Sequence, residues 1–273
     1  MSTPPPNAQP GPNPQAGPSP QPGPNAQPDF AGDDVVDGCT VCGRYGVLKR
    51  TRAAIRETYE CPTCRSSLRY RAQAAAILEA FADQEVRTLV ELFATTRWRS
   101  LDIYEPGIVG SYRKYLKTNP RYVQSFYWPD VPLGQSRNGM RCEDLMQLTF
   151  PDASFDLVIT SDIFEHIRKP AVAFRELRRI LRPGGWHIFT VPAQEPFAQR
   201  TVARVDTSTS EDVLILPAVY HGSGDGGKSL VYNDFGQDLL DTLDELGMPS
   251  TLHAYRMPDH AKPDVYTFIS TRP

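Results

Sequence analysis

Residues 150–192 read FPDASFDLVITSDIFEHIRKPAVAFRELRRILRPGGWHIFTVP and alternate strand and helix signals in a fixed order. The pattern predicts a strand, an amphipathic helix and a second strand, over residues 155–160, 169–182 and 186–191. Pro183 and the two glycines after it end the helix pattern. This order makes a βαβ unit, and the unbroken apolar strands are typical of parallel strands buried on both faces of a sheet.

The flanking sequence extends this unit into an α/β domain. Upstream, the pattern predicts a strand, a helix through Tyr112 and Leu116, and a second strand, with the strands over residues 100–104 and 121–127. Downstream, it predicts an amphipathic helix and a terminal antiparallel strand pair, over residues 234–246, 251–255 and 265–270. Residues 192–231 lack a regular pattern, and a loop of that length is typical of a lid or a substrate-binding insertion.

Four of the five cysteines form two C-x-x-C pairs, Cys39 with Cys42 and Cys61 with Cys64. Two such turns present four thiolates to one site, which is the tetrahedral shell that structural Zn²⁺ accepts. Disulfides or a redox pair are the alternatives, but the chain shows no export signal and two matched pairs exceed what redox chemistry needs. The pattern predicts a structural zinc ribbon, and the fifth cysteine, Cys142, is predicted to be a buried apolar side chain.

The N-terminal segment differs in composition from the rest of the chain. It holds 11 of the 26 prolines within 28 positions and contains no Lys or Arg. Such a segment has too little apolar surface to bury to offset the conformational entropy lost on ordering, so disorder is predicted. The expected organisation is a disordered tail, a zinc ribbon, a helical connector and an α/β domain, over residues 1–33, 34–72, 73–98 and 99–273. Without a signal peptide or a membrane span, a cytoplasmic location is expected.

The segment that contains the βαβ unit resembles the middle of class I S-adenosylmethionine-dependent methyltransferases of the small-molecule, type 11-like kind. The shared features are the buried strand, the Glu165-His166 turn, the helix and the L-x-P-G-G turn. The resemblance runs from Leu101 to the C-terminal end. It implies a Rossmann-like, seven-stranded, mostly parallel sheet that binds S-adenosylmethionine across the carboxyl ends of its first strands, where open α/β sheets bind ligands.

The resemblance also implies a set of residues that bind the cofactor. They are Asp102, Glu105, Gly107, Phe126, Asp144, Leu145 and Ser161. Within this set, Asp144 resembles the family's acceptor for the adenine amino group. The chain departs from the family in two places. The usual Gly-x-Gly-x-Gly loop is replaced by DIYEPGIVG, and the stretch 125–128 at the end of the second strand holds no acid, for which Glu105 or Asp130 could substitute.

Four residues are candidates for taking a proton from the methyl acceptor. His221 is preferred, because histidine titrates near working pH and His221 lies in the long insertion where an acceptor would enter. Asp162, Glu165 and His166 follow the predicted strand 155–160 and are the alternatives, with a capping or positioning role favoured for the Glu165-His166 turn.

The expected function is methyl transfer to a hydroxyl or amine of a small molecule, such as a glycan or a secondary metabolite. A ribosomal or transfer RNA methyltransferase is the alternative enzyme. The ribbon region 39–71 holds eight basic residues and two acidic ones, whereas the whole chain has a formal net charge of −3. Tyr45, Tyr59 and Tyr70 could stack on bases there, although arginines packed on an acidic domain would have the same composition. A non-catalytic, zinc-stabilised binding module is the third alternative. The oligomeric state is not predicted by any of these patterns.

Overall fold

The computed structural model describes residues 33–193, 196–257 and 265–273, so the tail predicted over residues 1–33 lies, apart from Asp33, outside the described residues. The helices are α1 Leu68–Phe81, α2 Leu89–Ala94, α3 Thr96–Arg99, α4 Arg113–Leu116, α5 Pro170–Ile180 and α6 Leu239–Glu245, with 3-10 turns at Ile55–Glu57 and Phe164–His166. The strands are β1 Val35–Gly38, β2 Tyr45–Leu48, β3 Ile103–Pro106, β4 Tyr122–Phe126, β5 Ser136–Arg137, β6 Met140–Cys142, β7 Phe155–Ser161, β8 Leu181–Thr190, β9 Val202–Ala203, β10 Val205–Asp206, β11 Val213–Leu214, β12 Tyr220–Gly222, β13 Lys228–Leu230, β14 Asn233–Asp234, β15 Ser250–Tyr255 and β16 Val265–Thr271. Among the described helices, none is long and apolar enough to cross a membrane.

The main sheet has the strand order β15-β16-β8-β7-β3-β4-β6-β5. Strands β8, β7, β3, β4 and β6 are parallel neighbours, while β16 runs antiparallel to both β8 and β15. The Rossmann-like α/β fold and the terminal antiparallel pair are therefore confirmed. The sheet has eight strands instead of the expected seven, because the short strand β5 folds back antiparallel onto β6 at the edge.

Both faces of this sheet are covered, as the unbroken apolar strands predicted. Along β7, Leu157 and Ile159 point into one apolar cluster and Val158 into the other. The first cluster lies under α1 to α4 and includes Trp98, and the second lies under α5 and α6 and includes Phe174. The alternation follows from the two-residue period of a strand, and it leaves only the strand ends open to ligands.

Helix and strand ends differ from the sequence-based expectation where side chains compete for the backbone. The helical connector predicted over residues 73–98 is interrupted near its end, because Thr95 is extended (ψ 148°) and its hydroxyl accepts the N–H of Trp98, which ends α2 and begins α3. The helix predicted over 234–246 begins only at Leu239, since Asp234 pairs in β14 and a Cβ on Gly236 would lie 2.4 Å from the carbonyl carbon of Arg200.

Helix α1 joins the cysteine-containing region to the sheet. The expected boundary between residues 72 and 73 falls inside this helix, which runs without a break from Leu68 to Phe81. The fully buried Gln73 donates from Nε2 to the carbonyl oxygens of Thr160, at 2.9 Å, and Ile188, at 3.3 Å. These bonds tie α1 to β7 and β8, so the helix is a layer of the α/β domain as well as a connector.

The insertion over residues 192–231 is built from short hairpins within its described part. Strands β10 and β11 pair, β12 pairs with β13, and β9 pairs with β14 beyond the insertion. The N–H of Tyr232 donates to the carbonyl oxygen of Glu165 at 2.7 Å. That bond holds the β12–β13 hairpin against the turn that follows β7.

Candidate active site and cysteine cluster

The four paired cysteines meet at one point. Their sulfur atoms all lie within 4.8 Å of one another, and the Sγ atoms of Cys39 and Cys64 are 3.6 Å apart, as are those of Cys42 and Cys61. A disulfide is about 2.05 Å long, whereas thiolates at about 2.3 Å from one tetrahedral ion are about 3.8 Å apart. The observed separations therefore fit a shared metal ion and not a disulfide.

The two C-x-x-C turns have the same backbone hydrogen bonding. In each turn the residue after the second cysteine donates its N–H to the carbonyl oxygen of the first cysteine, Gly43 to Cys39 at 2.8 Å and Arg65 to Cys61 at 2.9 Å. Gly43 and Arg65 have positive φ, 77° and 65° respectively. The left-handed residue turns the chain so that both thiols of a pair face one side.

The cysteine-containing region also reaches the end of β7. Arg56 contacts Asp162 with both terminal nitrogens, at 2.8 and 3.1 Å, and Arg69 Nε lies 3.2 Å from the same carboxylate. The hydroxyl of Thr190 donates to Asp162 at 2.8 Å. Burial alone would raise the pKa of Asp162, but the charges of Arg56 and Arg69 outweigh it and hold this pKa well below its usual range. A carboxylate held in this way is a poor proton acceptor, so Asp162 serves as an anchor.

Replacing Asp162 is therefore expected to weaken the attachment of Arg56 and Arg69. The three side chains are 18%, 13% and 11% exposed, and removing one partner of a buried pair leaves the other charge uncompensated. We expect Asp162→Asn to lower the free energy of unfolding by about 3 kcal/mol, measured by urea denaturation. Asp152→Asn is the matched control, because the Asp152 side chain is 77% exposed in its pair with Arg179 and should change stability by less than about 1 kcal/mol.

The same pair predicts a pH dependence. Because the folded-state pKa of Asp162 is depressed, its stabilising contribution is present above the carboxyl's ordinary pKa of 3.8 and is lost as the pH falls below that value. The stability difference between the wild type and Asp162→Asn should shrink in acid. Equal losses in Asp162→Asn and Asp152→Asn at neutral pH would contradict the anchoring role.

Most of the basic residues of region 39–71 are paired with carboxylates. Arg71 is fully buried against Asp37. Six of the eight basic residues form such pairs, namely Arg50, Arg52, Arg56, Arg65, Arg69 and Arg71. Tyr59, one of the tyrosines considered for stacking, is fully buried. Four of these six arginines are largely buried, whereas Arg52 and Arg65 are 59% and 73% exposed. Packing and ion pairs therefore account for much of the basic composition.

A cavity of about 470 Å³ opens at the carboxyl ends of β3, β4, β6 and β7. This is the edge at which open α/β sheets bind ligands. Its wall includes six of the seven expected cofactor residues, namely Glu105, Gly107, Phe126, Asp144, Leu145 and Ser161. The structure therefore brings these six together, although they lie up to 56 positions apart in the chain.

Asp102 is the expected cofactor residue that lies elsewhere. Its carboxylate pairs with Arg182 at 2.9 Å and Arg121 at 3.5 Å, and it is not part of the cavity wall. The reason is that β3 begins at Ile103 and continues to Pro106, so the strand end lies later than the sequence pattern indicated. The acid nearest to the strand end is Glu105.

Glu105 is buried, and one of its two carboxylate oxygens is engaged. Oε2 accepts from Arg113 Nε at 3.0 Å and from the hydroxyl of Tyr122. Gly107 follows with φ 100°, a backbone conformation that L side chains rarely adopt, and its carbonyl accepts from Gln124 at 2.9 Å. The altered loop therefore keeps the one glycine that its turn requires.

Asp144 has a carboxylate oxygen available to a ligand. Oδ1 accepts the N–H of Met146 at 2.8 Å, and Oδ2 has no hydrogen bond from the described residues. The neighbouring Glu143 is instead saturated by Arg141 and by two bonds from Thr149. Of this acidic pair, Asp144 is the one that can accept a hydrogen bond from a molecule in the cavity.

The candidate proton acceptors His166 and His221 lie side by side. Their rings pack edge to face at 5.0 Å, and both face Glu165, with His166 Nε2 at 3.5 Å and His221 Nδ1 at 3.7 Å from Oε1. Burial raises the pKa of Glu165, and the Glu165 carboxylate raises the pKa of His221. His166 lines the cavity, whereas His221 does so only through the adjacent Gly222 and Ser223.

The sequence patterns did not predict the contributions of Arg56, Arg69 and Gln73, and for Glu165, a candidate base, they favoured a positioning role. The first three lie 87 to 106 positions from their partners on β7 and directly after it, and no local pattern encodes such a pairing. For Glu165 a signal exists in the sequence, because an acid beside a histidine at the carboxyl end of a buried strand is placed where ligands bind.

Comparison with known proteins supports the class of domain expected from the sequence. Residues 129–189 match the sequence model of the family described as "Methyltransferase domain". An uncharacterized methyltransferase of Schizosaccharomyces pombe is 39% identical over 46 residues, which are 17% of this chain and 16% of that protein. The matched segment therefore spans about a sixth of the curated relative.

Two solved structures share the general chain path at low sequence identity. An S-adenosylmethionine-dependent methyltransferase from Mesorhizobium loti is 15% identical, with a TM-score of 0.40, over 66% of this chain and 99% of that one. The Burkholderia thailandensis 1,6-didemethyltoxoflavin-N1-methyltransferase, solved with 1,6-didemethyltoxoflavin and S-adenosylhomocysteine, is 15% identical, with a TM-score of 0.35, over 62% and 70%.

Proposed function

We propose that the chain is an S-adenosylmethionine-dependent methyltransferase that acts on a hydroxyl or amine of a small molecule, with a glycan or a secondary metabolite as the acceptor class. The observation that supports it most is the cavity at the carboxyl ends of β3, β4, β6 and β7, whose wall includes Gly107, Asp144 and Ser161. The match of residues 129–189 to the methyltransferase-domain family points the same way.

The cofactor, when bound, supplies a methyl group already activated by a sulfonium. The protein's task is then to align the acceptor with that group and to exclude water. In the proposed arrangement the Asp144 carboxylate accepts the adenine amino group, and the Gly107 turn allows close approach of the backbone. Leu145 and Phe126 supply apolar surface beside the adenine. His166 at the cavity wall, and His221 packed against it, assist the loss of the acceptor's proton.

We also propose that Cys39, Cys42, Cys61 and Cys64 bind one structural Zn²⁺. Four thiolates fill the tetrahedral shell and leave no position for a substrate, so this ion acts on folding and not on the reaction. The ion would hold the segment between the two cysteine pairs, which carries Arg56, and the start of α1, which carries Arg69, near Asp162.

The cofactor proposal is tested by calorimetry with S-adenosylmethionine and S-adenosylhomocysteine. Asp144→Ala should weaken binding by about 1 to 3 kcal/mol, the range for a hydrogen bond that involves a charged group. Gly107→Val should weaken it further, because valine is strained at φ 100°. Asp152→Ala, at an exposed ion pair outside the cavity wall, is the control and should bind normally.

The calorimetry also separates the alternatives. A wild type that gives no binding heat with either ligand would favour the non-catalytic binding module. An RNA methyltransferase would bind the cofactor but would in addition bind RNA with an affinity that falls steeply as salt rises. Salt-dependent RNA binding is the less expected result, because six basic residues in region 39–71 already form ion pairs within the protein.

A further inference from the structure

The Glu165 side chain is buried without a hydrogen-bonding partner. It is 1% exposed, and neither carboxylate oxygen has a hydrogen bond from the described residues. Burying an unpaired ionised carboxylate costs several kcal/mol, so such groups are normally paired, protonated or bound to a metal ion. Glu165 lies in the turn that follows β7, and its burial therefore calls for a proton or a positively charged group at the carboxylate.

Two histidine nitrogens lie at a distance from Glu165 that suits a shared ion better than a direct hydrogen bond. His166 Nε2 is 3.5 Å and His221 Nδ1 is 3.7 Å from Oε1. A charge-assisted N–H···O bond is about 2.7 to 2.9 Å long. Ligands bound at about 2.0 to 2.1 Å to one tetrahedral ion are about 3.3 to 3.4 Å apart. One possible ligand atom from each of the three residues lies within 4.8 Å of the ligand atoms of the other two.

The backbone sets the orientation of one of these histidines. The Nδ1–H of His166 donates to the carbonyl oxygen of Leu230 at 2.8 Å, which leaves the lone pair of Nε2 directed toward Glu165. A histidine that binds a metal commonly has its other nitrogen fixed in this way by a carbonyl or a carboxylate. His166 is thus already oriented as a ligand.

We propose that Glu165, His166 and His221 bind a divalent transition-metal ion at the edge of the cavity. Two imidazoles and one carboxylate suit ions such as Zn²⁺, Fe²⁺ or Mn²⁺, and three protein ligands leave at least one position for a further oxygen. Because His166, Gly222 and Ser223 line the cavity, that position is accessible to a molecule bound there. This site differs from the four-cysteine cluster, whose ligands close the shell.

The proposed ion narrows the acceptor class, and this step rests on the proposed methyl transfer. An ion held at the cavity edge would bind an acceptor hydroxyl and lower its pKa. The O–H proton passes to water, the oxygen electron pair forms the new O–CH₃ bond, and the S–CH₃ bond breaks with its electron pair remaining on sulfur. The acceptor is therefore an alcohol or a phenol and not an amine.

Cobalt titration of the zinc-containing full chain tests the metal site directly. Co²⁺ binds more weakly than Zn²⁺ to a given set of ligands, so it should not displace zinc from the cysteines. We expect one equivalent of Co²⁺ to bind with visible d–d absorption and without a thiolate charge-transfer band. Glu165→Gln and His221→Ala should each weaken this binding by at least about tenfold, while His253→Ala, at a half-buried histidine paired with Glu79, should leave it unchanged.

Two results would overturn the site. One is the absence of Co²⁺ binding in the wild type apart from exchange into the cysteine cluster, and the other is equal binding by the wild type, Glu165→Gln and His221→Ala. Circular dichroism of each variant shows whether it is folded, and Glu165→Gln preserves the side-chain volume. Calorimetry with S-adenosylhomocysteine on the same preparations reports cofactor binding separately, so failure of the metal site is distinguishable from failure of the methyltransferase proposal.

Discussion

Replacement of Cys64 by serine is expected to remove the zinc and to unfold the region around β1 and β2. Metal binding to such a set of four ligands provides about 10 to 16 kcal/mol of apparent free energy at neutral pH, and in a small ribbon that energy is folding energy. Hydrogen exchange should become fast over residues 35–66. Metal analysis should find about one zinc fewer per chain.

The fifth cysteine provides the control for this prediction. Cys142 is buried on β6, with its sulfur near the backbone of Trp128 and Val131, and it is not part of the cluster. Cys142→Ser should keep its zinc. The hydrogen bonds of Gln73 to β7 and β8 are independent of the metal, so the central strands should remain protected in Cys64→Ser. Zinc-free protein with unchanged exchange over residues 35–66 would refute the metal assignment.

Replacement of His221 by alanine is expected to lower methyl-transfer turnover by about 10²- to 10⁴-fold. Assistance to the loss of the acceptor's proton, by the histidine itself or through an ion that it binds, contributes an effect of this size. Affinity for S-adenosylmethionine should remain nearly unchanged, because the His221 side chain is not part of the cavity wall. Steady-state kinetics and calorimetry on the same preparation measure the two quantities.

A histidine outside the cavity wall is the matched control for the kinetics. His253 lies on β15, its ring contacts Glu79, and it is outside the cavity wall, so His253→Ala should turn over normally. A normal rate in His221→Ala together with an inactive His166→Ala would show that the proton is handled at the end of β7 alone. The insertion would then serve only to bind the acceptor.

Much of the architecture follows from short-range patterns. The βαβ unit over 150–192 is visible because its strands are continuously apolar and its helix has a 3.6-residue period, and both patterns report burial within a few residues of chain. The C-x-x-C pairs are also visible from short-range sequence. Each turn needs only its own four residues and one following residue with positive φ, which is Gly43 or Arg65. Element ends were harder to predict, since at Thr95 a single hydroxyl decides where one helix stops and the next begins.

Periodicity and the identity of the residues that follow buried strands were enough to predict the class of domain, the cysteine cluster and six residues of the cavity wall. Two features appear only in the folded chain: Asp162 anchors Arg56 and Arg69, 106 and 93 positions away, and Glu165 faces His221 from the insertion. An ion pair or a ligand set is defined by distance in space. The path of the chain between such partners is set by the packing of the whole sheet and its helices, which no local pattern records.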